Sequence, residues 1–427
     1  MADGDALACA RTRSAPFDIA FSPDGEILAA GLVSGRVALL DPYTGGRVGS
    51  FAAHGESVRN VLWLGRRGGS GRCRQLLTGS GDCSLACWDV ERAAGMGDAA
   101  GLGDESSQDD SEDDGSEDDG SEDDGEESDQ DESDEEEAER APKRAKGVGA
   151  AGSVRHQGQD VKKKRPVPLW RIGGAHDAPI SALAALELSV DGGGTFASGD
   201  DEGEIKVWDS RVCASSGSSS KPVHSFDAHE DFISDLTYVA DKQMLLATSG
   251  DGTLSGYDLR RGKLEHRSDN QEDELLSVCV LKQGKKVVTG STEGVLSIYS
   301  WGHLEDSTDR FPGHPESVAA LRALDEDTLI TASGDGVLRV VSVQPNKLLG
   351  VIGEHSKFST ERIDLHPGKR LLASACHDSV IKIWDVGYLY EGQEGEDDDD
   401  AGHDAAGGDD SDSDSDSDEP PGRKKKG

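Results

Sequence analysis

A histidine, a hydroxyl residue, a carboxylate and a tryptophan recur together along this 427-residue chain. One set is His355, Ser374, Asp378 and Trp384; another is His54, Thr78, Asp82 and Trp88. A base oriented by a carboxylate beside a hydroxyl is the arrangement that activates a nucleophile in hydrolysis. Repetition argues against that chemistry here. His176, Ser198, Glu202 and Trp208 form a third set, and His314, Thr331 and Asp335 a fourth that lacks the Trp. An active site needs one constellation in one cleft, so equivalent sets spread along a chain point to structure instead. The sequence also lacks GxxxxGK[ST], a GxGxxG following a strand, and HExxH. Nothing positive supports an enzyme, and no cofactor or metal is expected.

The elements that carry these residues are short strands. Residues 226–260, FDAHEDFISDLTYVADKQMLLATSGDGTLSGYDLR, hold three apolar runs separated by turn residues. Alternating apolar residues bounded by Gly and Asp read as half-buried antiparallel strands. Similar units align on one spacing, an acidic turn residue six positions before the residue that ends the third strand. The pairs are Asp82/Trp88, Glu202/Trp208, Asp251/Tyr257, Glu293/Tyr299, Asp335/Val341 and Asp378/Trp384, with Ser34/Leu40 as a degenerate first copy. Histidines 54, 176, 229, 314 and 355 stand ahead of five copies. Repetition at roughly 40–45 residues indicates a propeller or array.

Three Trp-Asp pairs at matching spacing make the sequence resemble the WD-repeat family, whose units carry Gly-His at one end and Trp-Asp at the other. The resemblance implies an all-β, seven-bladed β-propeller, an architecture that leaves few exposed strand edges. It also implies a hydrogen-bond network in each blade, carboxylate to His to strand hydroxyl, that satisfies buried polar groups. Glu202 and Glu293 in place of Asp, and Ala247 and Val341 in place of partners, should weaken blades 3 to 6. The last copy stops after its third strand, so residues 7–12 are expected to supply the missing outer strand and close the ring.

The net charge is −40, and its placement matters more than its size. Residues 98–139 carry 24 acidic groups and residues 391–420 carry 15, with no Lys or Arg in either stretch. That leaves 45 acidic residues against all 44 basic ones. The expected organisation is a closing strand and blades 1–2 in 1–90, a disordered insert in 91–170, blades 3–7 in 171–388 and a disordered acidic tail in 389–427. The insert repeats SEDDG three times over residues 111–125, with almost no apolar surface to bury. Ser111, Ser116, Ser121, Ser133 and Ser411 precede acids and suit an acidophilic kinase of the casein kinase 2 type. Phosphorylation would add more negative charge. Lys143, Arg144 and Lys146, followed by Lys162, Lys163, Lys164 and Arg165, look like a bipartite nuclear-import signal.

Seven scattered cysteines without CxxC do not suggest a disulfide framework, and a reducing compartment fits. Cys83 and Cys87, four apart on a strand, lack the paired-thiolate spacing of a zinc knuckle. No apolar run approaches the roughly 20 residues a spanning helix needs, so a soluble intracellular protein without membrane partners is expected.

Function then rests on docking. Trp208-Asp209-Ser210-Arg211 and Tyr257-Asp258-Leu259-Arg260 end two successive copies with W/Y-D-x-R. This is similar to the box through which WD-repeat proteins bind the adaptor of cullin-4 ubiquitin ligases, with Arg211 and Arg260 making charge-assisted bonds. Residues 269–301, 307–311 and 344–355 resemble the WD repeat-containing protein 55 family. That likeness implies a nuclear and nucleolar protein needed for ribosomal RNA production and large-subunit assembly, with pre-ribosomal assembly factors as partners; in plants the family is linked to the cullin-4 adaptor. A third reading is an acidic chaperone of basic proteins, whose binding would depend strongly on salt. Direct nucleic-acid binding is not expected, because the balanced remainder lacks a basic stripe with interleaved aromatics.

Overall fold

The computed structural model describes residues 6–65, 74–94, 166–188, 194–355 and 358–390. Their strands form seven four-stranded antiparallel sheets, the blades of a closed ring. The seven-bladed propeller expected from the repeats is the observed fold. Strands are lettered a to d outward from the central channel. In blade 1 they are Pro16–Phe21, Leu28–Leu32, Arg36–Leu40 and Arg47–Ala52.

Burial follows this order and explains the composition of each strand. Strand b of blade 4, Met244–Ser249, is buried throughout, whereas its strand d, Lys263–Arg267, is almost entirely exposed. Blades meet face to face, so the second strand must carry small or apolar residues on both sides. A Cβ on Gly79 would lie 2.8 Å from Ile180, and one on Gly199 would lie 2.7 Å from Ile233. Glycine therefore sets how closely the next blade approaches.

The ring closes between its two chain ends. Ala8–Arg11 pairs antiparallel with Val380–Asp385 of blade 7, with Ala8 opposite Ile383 and Arg11 opposite Val380. Thr12 adds bonds from its N–H and its hydroxyl to the Ser379 carbonyl, both 2.9 Å. The strand expected within residues 7–12 is thus present. Blade 2 borrows a strand in a similar way. Its strand d is Trp170–Ile172, which pairs with Leu85–Asp89 from beyond the insert. A boundary drawn at residue 171 therefore cuts this strand. A repeat counted in sequence ends on its third strand, whereas a blade takes its fourth from the segment that follows.

Side chains on the inner strands stitch neighbouring blades together. Asp18 accepts from the Val61 N–H at 2.9 Å, and Asn60 donates to the Ser181 carbonyl at 2.9 Å. The hydroxyls of Ser181, Ser234 and Ser277 donate to carbonyls of Ile233, Leu275 and Val318 at 2.6, 2.5 and 3.0 Å. Asp364 accepts from the Phe21 N–H at 2.8 Å and lies 3.7 Å from Arg322. Every seam of the ring carries at least one such contact.

Replacing Ala10, which sits 5 % exposed in the closing strand opposite Ile381, by proline tests closure. The substitution removes a ladder donor and overfills the seam, and it should cost roughly 2–4 kcal/mol in urea unfolding.

Candidate functional site

The histidine sets lie inside the blades. In blade 2, His54 Nδ1 is 3.1 Å from both Asp82 oxygens, and His54 Nε2 is 2.7 Å from Thr78 Oγ1. Trp88 Nε1–H donates to the same hydroxyl at 3.0 Å. The chain of donors is consistent from end to end: indole to hydroxyl, hydroxyl to Nε2, Nδ1–H to carboxylate. Burial holds the His54 pKa below its ordinary value, so the ring is neutral. Burial would raise Asp82, but bonds from His54 and Ser84 hold its carboxyl well below the usual range.

Blade 3 departs from the expected set. His176 Nδ1 bonds Asp200 Oδ2 at 2.8 Å, not Glu202, while Nε2 meets Ser198 Oγ at 2.6 Å and Trp208 Nε1–H donates to Ser198 at 2.8 Å. Asp200 stands two residues earlier, where blade 2 has Ser80. Ser80 Oγ accepts the N–H of Asp82; likewise Asp200 Oδ1 accepts the N–H groups of Glu202 and Glu204. One short carboxylate thus caps the turn with one oxygen and holds the histidine with the other. Glu202 is left as a turn residue, and blade 3 keeps a complete network.

Blade 4 is complete as well. Ala247 offers no hydroxyl, but its cross-strand neighbour Ser255 does, and His229 Nε2 lies 2.6 Å from it. His229 Nδ1 bonds Asp251 at 2.9 Å. Blade 6 is incomplete for a reason the aligned spacing does not show. Arg339 clamps both oxygens of Asp335, at 3.0 and 2.5 Å, leaving His314 Nδ1 buried without a partner. Burial and the Arg339 charge push the His314 pKa down to about 4. In blade 7, His355 Nε2 meets Ser374 at 2.7 Å and Trp384 Nε1–H donates to Ser374 at 2.8 Å, but Asp378 is 3.9 Å from Nδ1.

Two of these sets also bring three potential metal-ligand atoms within 4.8 Å, His355 with Cys376 and Asp378, and His176 with Asp200 and Glu204. In the second, the His176 and Asp200 atoms already bond each other. Cys83 and Cys87 belong to neither group.

The surface offers what the buried sets do not. Each inner strand carries a β-bulge after its first residue. A bulge re-aims a side chain, and here it delivers one residue per blade to a single mouth of the channel. Those residues are Phe17, Arg59, Ser181, Ser234, Leu276, Ala319 and Glu361, lining a depression of about 330 Å³ with Phe232 beside them. Arg59 pairs with Asp201 at 2.7 Å and Glu361 with His377 at 3.1 Å. Sequence reasoning missed this ring. Its signal is the second residue of the first strand, which is polar or aromatic in five of the seven blades (Phe17, Arg59, Ser181, Ser234 and Glu361), with Leu276 and Ala319 as the exceptions.

Arg211 and Arg260 lie on the opposite face, since strand c ends where strand a ends. Asp209 caps the short helix Ser210–Ser216 and grips Arg211, with Nε to Oδ1 at 3.0 Å and Nη2 to Oδ2 at 2.7 Å. The Arg211 side chain remains 74 % exposed. Arg260 is held more loosely, 3.6 Å from Asp258, whose oxygen instead accepts the N–H groups of Arg260 and Arg261. Trp208 and Tyr257 are buried, so the aromatic of each box is core and only the arginine is presented. The import clusters at 143–146 and 162–165 and the serines at 111, 116, 121, 133 and 411 lie outside the described residues.

Comparison with known proteins places this architecture. The model of the WDR55 family matches residues 157–389. Over 219 residues the chain is 42 % identical to WD repeat-containing protein 55 of Arabidopsis thaliana, covering 51 % of this chain and 58 % of that protein. WD repeat-containing protein JIP5 of Cryptococcus neoformans is 42 % identical over 223 residues, 51 % of this chain and 56 % of that protein. The human WD repeat-containing protein 55 is 36 % identical over 219 residues, 51 % of this chain and 54 % of that protein. The matched stretch spans just over half the length of each of these relatives.

Asp200→Ala should cost roughly 1.5–3 kcal/mol in urea unfolding, because it strands a buried histidine. Glu202→Gln should stay within about 0.5 kcal/mol, the reverse of what the aligned spacing suggests. His314 predicts a pH dependence. The unfolded imidazole takes up a proton near pH 6.5 and the folded one only near 4, so its stabilisation is present above pH 6.5 and is lost as pH falls from there towards 4. The stability difference between wild type and His314→Asn should therefore shift against wild type by about 2 kcal/mol between pH 8 and 5.

Proposed function

The chain belongs to the WDR55 family, and on that premise we propose that it is a non-enzymatic nuclear and nucleolar scaffold that supports ribosomal RNA production and ribosome biogenesis. The observation that carries the scaffold reading is the channel mouth. All seven blades contribute a side chain to one depression in which aromatic rings, Phe17 and Phe232, stand beside the Arg59–Asp201 ion pair and the Glu361–His377 contact. Apolar anchors ringed by charge are the composition of protein-docking surfaces. The histidines and hydroxyls of the repeated sets, by contrast, are buried, and apart from Nδ1 of His314 and His355 the histidine nitrogens bond within their own blades. Pre-ribosomal assembly factors are the partners this reading assigns to the mouth.

A second activity, recruitment to a cullin-4 ligase, is favoured by the opposite face. There two exposed guanidiniums follow strand c of adjacent blades, one pre-oriented by a bidentate aspartate. Such a held arginine loses less freedom on binding a carboxylate or carbonyl of a partner.

Affinity capture from nuclear extract separates the two. Arg211→Ala with Arg260→Ala should reduce recovery of the ligase adaptor at least about tenfold and leave pre-ribosomal proteins in place. Phe17→Asp with Phe232→Asp should do the opposite, and should fail to restore ribosomal RNA synthesis in depleted cells. Loss of both partner sets in either variant would place all docking on one face. Absence of the adaptor even with wild type would remove the ligase reading.

A further inference from the structure

The seam between blades 7 and 1 holds a groove of about 490 Å³ between the closing strand and strands c and d of blade 1. Four guanidiniums line it, those of Arg11, Arg13, Arg36 and Arg47, and no carboxylate does among the described residues. Arg36 and Arg47 both direct Nη2 to one hydroxyl, Ser50 Oγ, each at 2.7 Å. Ser50 itself is only 2 % exposed. Arg11, Arg13 and Arg36 have no ion-pair partner among the described residues. A concentration of positive charge on a chain of net charge −40 calls for an anionic occupant.

We propose that the groove is the docking site of this chain's own acidic C-terminal segment, residues 396–419. That stretch carries 13 carboxylates and no Lys or Arg. Its point of departure is close by. Tyr390, the last described residue, packs with Ala6 against one apolar cluster, and its hydroxyl donates to the Leu324 carbonyl at 3.2 Å. Ala6 is five residues from Arg11, a span of at most roughly 18 Å, and residues 391–396 reach about 20 Å. The 24 residues of the acidic run themselves span up to about 80 Å when extended, so the run can reach the groove from Tyr390 without any movement of the blades. Aspartates can be taken bidentately by the guanidiniums, and phosphate on the interleaved Ser411 would tighten the contact. Because the arginines are partly exposed, the attraction is screened by salt. The inference is independent of the nucleolar reading and of the box arginines.

Cys9 is exposed and lines the same groove, which gives a native reporter. The experiment measures the rate at which iodoacetamide alkylates Cys9 in the full chain, read by peptide mass. Replacing the carboxylates of 396–419 with their amides at unchanged length should raise the rate about threefold or more at low salt, and wild type in about 0.5 M salt should rise to the same level. Amide replacement across the acidic residues of 98–139 should leave it unchanged, and so should dilution of wild type. An unchanged rate on neutralising the tail overturns the proposal. So does release of Cys9 by neutralising the insert instead, which would make that segment the occupant. Release by dilution alone also overturns it, since the protecting tail would then belong to a second copy.

Discussion

A ring of blades stands only if each seam closes, because an open seam would expose a full apolar sheet face and an unpaired edge. Two devices close the seams here. Ala8–Arg11 completes blade 7 from the other end of the chain, so the first and last elements fold as one sheet. Inner-strand polar groups then tie neighbouring blades near the axis, as Asp18 does to Val61 and Asp364 to Phe21. These bonds sit where the blades converge and apolar surface is least. Asp18 shows the strain of that position: burial pushes its carboxyl up to about 6, against the pull of the Arg362 charge.

The histidine networks hold the turns that feed the inner strands, and they tolerate more variation than a fixed spacing implies. The geometric requirement is a carboxylate near Nδ1 and a hydroxyl near Nε2, not particular positions. Asp200 meets the first from the end of strand b, and Ser255 meets the second from strand c. Where a competing cation intervenes, as Arg339 does at Asp335, the network opens and the histidine stays neutral in an incompletely satisfied pocket.

The two faces differ because antiparallel strands send different ends to each. One face receives the seven bulges and so a mouth with aromatic and charged lining. The other receives the ends of strand c and so Arg211 and Arg260. A rigid ring can thus present two chemically different faces while its interior remains occupied with holding itself together.

Much of this was legible in the residues themselves. The six-residue spacing from turn acid to strand end gave the number of blades. The truncated last repeat required an outer strand from residues 7–12, since backbone groups of an edge must be paired. Trp88, Trp208 and Trp384 fell where the repeat put them, each bonded to its hydroxyl. Tertiary structure alone decided which acid serves each histidine, because Asp200 and Glu202 differ by less than a turn in sequence but only Asp200 is short enough and placed at the end of strand b. It alone decided that Arg339 would take Asp335, and that four arginines scattered from 11 to 47 would line one groove. Periodicity records local strand geometry, which every repeat shares; partner choice depends on through-space distances between segments far apart in the chain, which no spacing encodes.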